Sequence, residues 1–327
     1  MVFIVKWNIL FVRSYFVDIL VLFRCVWVIS FFMMAQFAKA DTVSTSSGIS
    51  ASEKPVLHIR HPDNQEEEVI YARRTEYLVA LLKLALEKSN ANYRLEPVVT
   101  TSITGSRNTR YLETGTFNLN WMHTNTEREQ AVLPIRIPLF RGLIGWRTFF
   151  VRSDELERFA KLKNADELKL LTAGQGHDWP DTNILRSNGF KLIASANRPS
   201  LMQMLNGKRI DYFPRGLIEA WDELEVIHDD FVAIEESFIL RYPTAYYFFV
   251  SKDNPELAQI IENGLRTAIN DGSFNRLFFA YQGGYIEKAN LKNRRIIHLK
   301  NPYLPELTPL NDKTLWFSLE DLKQSVE

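Results

Sequence analysis

Residues 57–99 read LHIRHPDNQEEEVIYARRTEYLVALLKLALEKSNANYRLEPVV. Leu57-His58-Ile59 has strand character. Tyr77, Leu78, Leu81, Leu82, Ala85 and Leu86 then recur on one helical face while Glu76, Lys83, Glu87 and Lys88 fall elsewhere, which predicts a helix over 71–89. Tyr93 to Val99 supplies a second strand, and strand, amphipathic helix, strand is the repeating unit of an α/β fold.

The same alternation continues outward from this unit. Phe117, Leu119 and Trp121 share one face of a third strand over 117–122. An apolar strand runs from Gly142 to Val151, followed by a second set of βα units up to about residue 240. In that set, Leu170-Leu171-Thr172-Ala173 reads as a strand leading into a loop, Gly174 to Asp178. Pro180 to Asn188 then reads as a helix stopped by Gly189. Ile193, Ile210 to Phe213 and Phe231 to Ile234 are strand-like pieces between helices expected at 199–206 and 216–224. Tyr246 to Val250 is a further strand. Asp253-Asn254-Pro255 opens a helix through Ile269, closed by Asp271-Gly272, and another helix is expected over Ser273 to Tyr281. The Pro-punctuated tail from Gly283 is expected to wrap the surface.

The first 40 residues stand apart. After Arg24 comes an uncharged, mostly apolar stretch from Cys25 to Ala38, short for a spanning helix, and Ala38-Lys39-Ala40 before Asp41 fits a signal-peptidase site. The expectation is a signal peptide over 1–40, cleaved after Ala40, with a Ser/Thr-rich linker over 41–52 and a periplasmic mature chain. An uncleaved anchor built from residues 1–38 is the alternative, although Lys6, Arg13, Asp18 and Arg24 interrupt it. Removal of 1–40 leaves 35 basic and 38 acidic residues and takes away the only cysteine, so the mature chain has no disulfide and no thiol nucleophile. The whole chain balances 39 basic against 39 acidic residues, which argues against a nucleic-acid binder held by phosphate neutralisation. With 46% hydrophobic residues, the chain has enough apolar surface to bury a core.

Three segments resemble the periplasmic solute-binding proteins of family 3, the polar amino acid receptors of ABC importers. Glu113-Thr114-Gly115-Thr116-Phe117-Asn118-Leu119, with His123 to Gln130 after it, is similar to that family's glycine turn, strand and arginine-bearing stretch. Leu205-Asn206-Gly207-Lys208-Arg209-Ile210-Asp211 resembles its glycine-arginine-aspartate turn. Phe249 to Leu257 and Ile269-Asn270-Asp271-Gly272-Ser273-Phe274 resemble its return strand and final helix break. The resemblance spans about residues 55–282. It departs from the family where His61 to Gln65 and Glu66-Glu67-Glu68 replace an aromatic-Pro-Phe stretch, and where Asn118 replaces an aspartate.

The resemblance implies a two-lobe α/β type II periplasmic binding fold, each lobe a mixed sheet flanked by helices, joined by two hinge strands. Lobe 1 would comprise 53–145 and 246–327, the latter with a C-terminal extension, and lobe 2 would comprise 146–245. It implies a monomer without cofactor or metal, holding a small anionic or zwitterionic, amino-acid-like ligand between the lobes for a membrane permease. Arg128 stands where the family's carboxylate-binding arginine stands, with pairing to Glu127 or Glu129 as the bland alternative. Trp121 and His123 match positions lining the same cleft, or serve as core and hydrogen-bonded structural residues. Gln175, His177 and Trp179 fall in or beside the loop that presents backbone amides at a helix N-terminus, with ordinary capping by Asp178 as the alternative. Asp211 either contacts ligand or ends a strand. Arg215 follows from the ligand-facing ends of strands rather than from the family.

No G-x-S-x-G, H-E-x-x-H, P-loop or paired C-x-x-C motif occurs, and Gly174 to Trp179 lacks the last glycine of a dinucleotide fingerprint. His58 and His61 would point to opposite strand faces, against a metal site. No turnover is expected. Two alternatives stay open: a dehydratase-like enzyme on the same fold, with Asp178, Asp211 or His177 as the acid or base, and a ligand sensor for a signalling partner.

Overall fold

The computed structural model of the chain describes residues 55–63, 69–99, 105–227 and 229–324. The expected signal peptide and linker, and Glu66-Glu67-Glu68, lie outside the described residues. Among the described residues no helix is long and apolar enough to cross a membrane.

β1 (Leu57–Asp63) pairs in parallel with β2 (Tyr93–Val99), Leu57 opposite Tyr93, and α1 (Val69–Lys88) is their crossover. There follow α2 (Gly105–Glu113), β3 (Leu119–His123), α3 (Thr126–Ala131) and β4 (Leu133–Ile135). The next elements are β5 (Trp146–Arg152), α4 (Leu156–Lys161), α5 (Ala165–Leu170), β6 (Thr172–Gly176), α6 (Pro180–Ser187), β7 (Lys191–Ser195) and α7 (Arg198–Asn206). They lead to β8 (Tyr212–Gly216), α8 (Ala220–Ile227), β9 (Val232–Ile234) and β10 (Phe238–Arg241). The chain returns through β11 (Tyr246–Val250), α9 (Pro255–Asn270), α10 (Ser273–Ala289), β12 (Arg295–His298) and α11 (Asp321–Gln324).

The result is two α/β lobes. In the first, β11 runs antiparallel between β3 and β4, and Asn118 N donates to Arg60 O, tying β1 to the entry of β3. The predicted face of α1 is fully buried and packs on α9. The second lobe is one sheet in the order β12, β10, β5, β8, β6, β7, with β9 also on β5. Its central strand β5 is buried at every position because helices and neighbouring strands cover both its faces.

The chain enters the second lobe after β4 and leaves it after β10, and these two passages lie side by side. Leu139 N donates to Tyr246 O and Tyr242 N to Gly145 O. A Cβ at Gly145 would sit 2.2 Å from Tyr242 O, so only glycine admits this approach.

Several expectations shift. Leu170 and Leu171 do not begin a strand: Asn164 accepts a hydrogen bond from Glu167 N and starts the short helix α5, which leaves Leu170 exposed. The stretch read as a loop, Gly174-Gln175-Gly176, is strand instead. Its glycines leave room for Ile210 and Leu201 on one and Trp179 on the other. α10 runs on to Ala289 through Gly283-Gly284, because burial of Tyr285, Ile286 and Ala289 outweighs the glycines' poor helix propensity. The tail does more than wrap the surface: β12 pairs in parallel with β10, Phe238 opposite Arg295.

Candidate functional site

Arg147 stands at the start of β5 where the chain enters the second lobe, and it is 4% exposed. Its Nη2 donates to Asp181 Oδ1 at 2.9 Å and its Nε to the Tyr242 hydroxyl at 2.7 Å, while that hydroxyl donates to Asp181. Asp181 is held there because Pro180 opens α6, placing the carboxylate in the first helical turn. Burial opposes a charge on Arg147, but the carboxylates of Asp181 and Glu219 more than offset it and keep the guanidinium charged. Burial also drives the Tyr242 hydroxyl far above its ordinary pKa, so it stays a donor.

Facing this pair is His123, the last residue of β3, set edge-on to Tyr246 with ring centroids 4.9 Å apart. The residue is partly exposed, but Nδ1 is buried and has no hydrogen-bond partner among the described residues. Burial pushes its pKa down to about 4; Asp181 and Glu219 oppose this, and Arg147 and Arg74 add to it. The imidazole is therefore neutral near pH 7.

A second network adjoins. Arg215 Nε donates to Glu223 Oε2 at 2.6 Å and its Nη2 to Glu219 Oε2 at 3.2 Å, with the guanidinium 4.8 Å over the Trp179 ring. Arg198 joins Glu223 at 3.1 Å. From the first lobe, Arg74 reaches Glu219 at 3.0 Å, Arg73 reaches Asp222 at 3.0 Å, and the Tyr285 hydroxyl donates to Asp222 at 2.5 Å. Burial acts to raise the Glu219 pKa, but Arg215, Arg74 and Arg147 together hold it well below the usual carboxylate range. These pairs join α1 and α10 to the start of α8, so the lobes are linked by charge at this junction.

Gln175 is fully buried on β6; its Oε1 accepts from Gly176 N at 3.3 Å and its Nε2 has no partner among the described residues. Side chains alternate along a strand, so Gln175 shares the face of Ala173, which packs with Phe149 and Tyr212. On β5 that face carries Arg147. Gln175 and Arg147 thus belong to one side of the sheet, and Arg215 with Trp179 to the other.

Of the residues expected from sequence, the structure brings His123 and Arg215, with Trp179 under the Arg215 guanidinium, to this junction, and it buries Gln175 on the side of the second lobe's sheet that carries Arg147. Arg128 lies at the end of β3 on α3: its Nε donates to Thr109 Oγ1 at 3.2 Å and its Nη1 to the His123 carbonyl, tying α3 to the strand that carries His123. Trp121 is core, 5% exposed, against Phe248 and His61. His177 is exposed and paired with Asp178 at 2.9 Å. Asp211 is not brought to the cluster. It accepts from Thr172 N at 2.7 Å and from Arg158 at 3.0 Å, at the opposite end of β6 from Gln175. Among the described residues no group of three His, Cys, Asp or Glu side chains is placed to hold a metal ion.

Sequence reasoning missed Arg147, Asp181, Glu219, Tyr242 and Arg74. One signal was available for the first: an arginine inside the apolar run Trp146 to Val151 has to find a buried partner.

His123 sets a pH dependence. Its folded pKa lies below the unfolded value of 6.5, so the unfolded chain binds the proton more readily between pH 6.5 and about 4. Its stabilising contribution is complete above pH 6.5 and is lost as pH falls toward 4. The partial exposure of the residue reduces this to the order of 1–2 kcal/mol. Urea unfolding at pH 7.0 and 4.5 should show a drop of this order in the wild type beyond that of His123→Gln; equal drops would remove His123 as the cause.

No family model matches this chain. No curated protein matches it either. Among solved structures it is similar to the periplasmic VFT2 domain of Bordetella pertussis BvgS, at 16% identity over 69% of this chain and 93% of that one, with a TM-score of 0.49. It is also similar to a Salmonella typhimurium periplasmic binding protein of high arginine specificity, at 15% identity over 70% of this chain and 98% of that one, with a TM-score of 0.45. A third likeness is to the GluR0 ligand-binding core of Nostoc punctiforme in complex with L-glutamate, at 15% identity over 69% and 98%, with a TM-score of 0.44. The architecture of this chain is set by its own strand order and its two side-by-side passages.

Proposed function

We propose that this chain is a solute-binding protein that holds one small, carboxylate-bearing ligand between its lobes and delivers it to a membrane transporter. The observation that carries this reading is a pair of buried polar atoms with no partner among the described residues: His123 Nδ1 at the lobe junction, within electrostatic reach of Arg147 and Arg74, and Gln175 Nε2 on the side of the second lobe's sheet that carries Arg147. A buried amide donor left without an acceptor costs about 1–3 kcal/mol, so such atoms mark a place where a partner's acceptor belongs. Gln175 offers N–H to a carboxylate, and neutral His123 offers either a donor or an acceptor. Asp181 and Glu219 would face an ammonium pole, which suits a zwitterion.

Closure follows from the same geometry. Arg73, Arg74 and Tyr285 on the first lobe meet Asp222 and Glu219 on the second, so bringing the lobes together forms ion pairs around the ligand. The signal-peptidase-like Ala38-Lys39-Ala40 supports a periplasmic location. The lobe bounds expected from sequence need one change, since β12 of the tail joins the sheet of the second lobe.

The test is a thermal-shift screen against amino acids, dicarboxylates, short peptides and polyamines, repeated with Gln175→Leu. A native-state ligand raises the melting temperature by mass action. At least one carboxylate-bearing solute should stabilise the wild type and lose most of that effect in the variant, and it should be recovered unchanged after incubation. No shift at millimolar ligand, or stabilisation by polyamines alone, would overturn the reading.

A further inference from the structure

A cavity of about 640 Å³ is walled by the ends of the two side-by-side inter-lobe passages and by the tail around residues 310–321. Arg241, the last residue of β10, places its guanidinium 4.6 Å over the Trp146 ring. Its hydrogen bond is a weak one, Nη2 to the Phe317 carbonyl at 3.4 Å. Among the described residues no carboxylate lies within ion-pair distance of it. The buried arginines Arg141, Arg147, Arg152 and Arg215 each have one, and the fifth, Arg294, is held instead by backbone carbonyls and the Thr148 hydroxyl. Burial alone lowers the Arg241 pKa, with no neighbouring anion acting against it. A half-buried cation lacking an anion bears a desolvation cost that a bound anion would relieve.

The rest of the cavity says what else that anion carries. Trp146, Trp316, Leu299 and Leu310 give it apolar walls, and Lys313 adds a second positive charge. Of the acids that line it, Asp321 is already engaged by Arg141 and by Ser318 N, and Glu320 is exposed at the rim. We propose that this cavity is a second ligand site, for a small carboxylate with an aromatic or aliphatic body, the carboxylate on Arg241 and the body between Trp146 and Trp316. Because its walls include residues of both passages, an occupant touches the segments about which the lobes would move. Tyr242 lines the cavity too, and its hydroxyl is the one that bonds Asp181 and Arg147.

The proposal is tested by calorimetric titration of the protein, as the producing cell processes it, with 3-phenylpropionate and with its uncharged amide. The acid should bind at one per chain and the amide about tenfold or more weaker, the difference expected for losing a charge-assisted hydrogen bond. Arg241→Gln should weaken the acid about tenfold, and Arg241→Lys, which keeps the charge, should do so by no more than about threefold. If Arg241→Gln does not fold, Leu310→Glu serves instead: Leu310 is 47% exposed, so the change spares the core while placing a negative charge at the mouth, and it should weaken the acid several-fold. Failure of the acid to bind at millimolar concentration, equal binding of the amide, or unchanged binding of the acid to Arg241→Gln or Leu310→Glu would overturn it.

Discussion

Replacing Arg147 with Met is expected to lower the unfolding free energy by about 3–5 kcal/mol, the range for removing one partner of a buried ion pair. The variant would keep the apolar volume of the side chain but leave Asp181, 8% exposed, with only the Tyr242 hydroxyl as a charge-stabilising partner in this pair. Tyr242 would in turn lose the guanidinium that donates to it at 2.7 Å. Most of the loss thus comes from an uncompensated buried carboxylate rather than from lost contact area. A double variant, Arg147→Met with Asp181→Leu, removes that carboxylate and should recover about 1–3 kcal/mol relative to additivity. Urea unfolding at pH 7 measures both. A loss below about 1 kcal/mol in the single variant would mean that Asp181 reaches water, and that this junction is not the buried charged centre described above.

Gly264→Ala should be destabilising by about 3 kcal/mol or more, opposite in sign to the usual effect of alanine in a helix. Gly264 lies on α9 where it crosses α1, and a Cβ there would sit 1.7 Å from Ala85 O and 2.6 Å from its carbonyl carbon. Those are backbone atoms of a helix whose inner face is fully buried, so neither can turn aside and the helices must separate. Gly283→Ala and Gly284→Ala in α10 are the controls. Nothing lies within 4 Å of a Cβ at either position, and each should gain up to about 1 kcal/mol from helix propensity alone. Thermal or urea unfolding of the three variants should show one large loss and two small gains. A neutral Gly264→Ala would contradict the close crossing of α1 and α9.

What the sequence made legible follows from periodicity. The buried face of α1, the β1-α1-β2 unit and the capped start of α9 were readable because apolar spacing and an Asn254-Pro255 signal are local properties. α2 was not, since Ser106 to Arg110 carry no apolar stripe and only Tyr111 and Leu112 turn inward. β12 was missed because Arg295 to His298 is short and half polar, and it becomes a strand only by pairing with β10 more than fifty residues earlier. The site divides the same way. His123 and Gln175 could be named because the resemblance to family 3 receptors marks their positions, and Arg215 because it falls at the end of a strand, where α/β proteins present side chains to ligands. Asp181 and Tyr242 could not, because their roles exist only once the two passages between lobes lie side by side and bring them to Arg147. Arg128 shows the converse: a position suggestive in sequence, whose guanidinium is spent in part on the His123 carbonyl and Thr109.

The central claim, that one ligand is held by both lobes at once, is tested most directly by amide hydrogen exchange with and without the solute that gives the largest thermal shift. Exchange should slow, in the same titration, at the end of β3 around Met122 and His123 and at the turn from Gln175 to Thr182, with the α8 start at Glu219 to Glu223 following them. Protection confined to one lobe, or found only on surfaces away from His123 and Gln175, would contradict it.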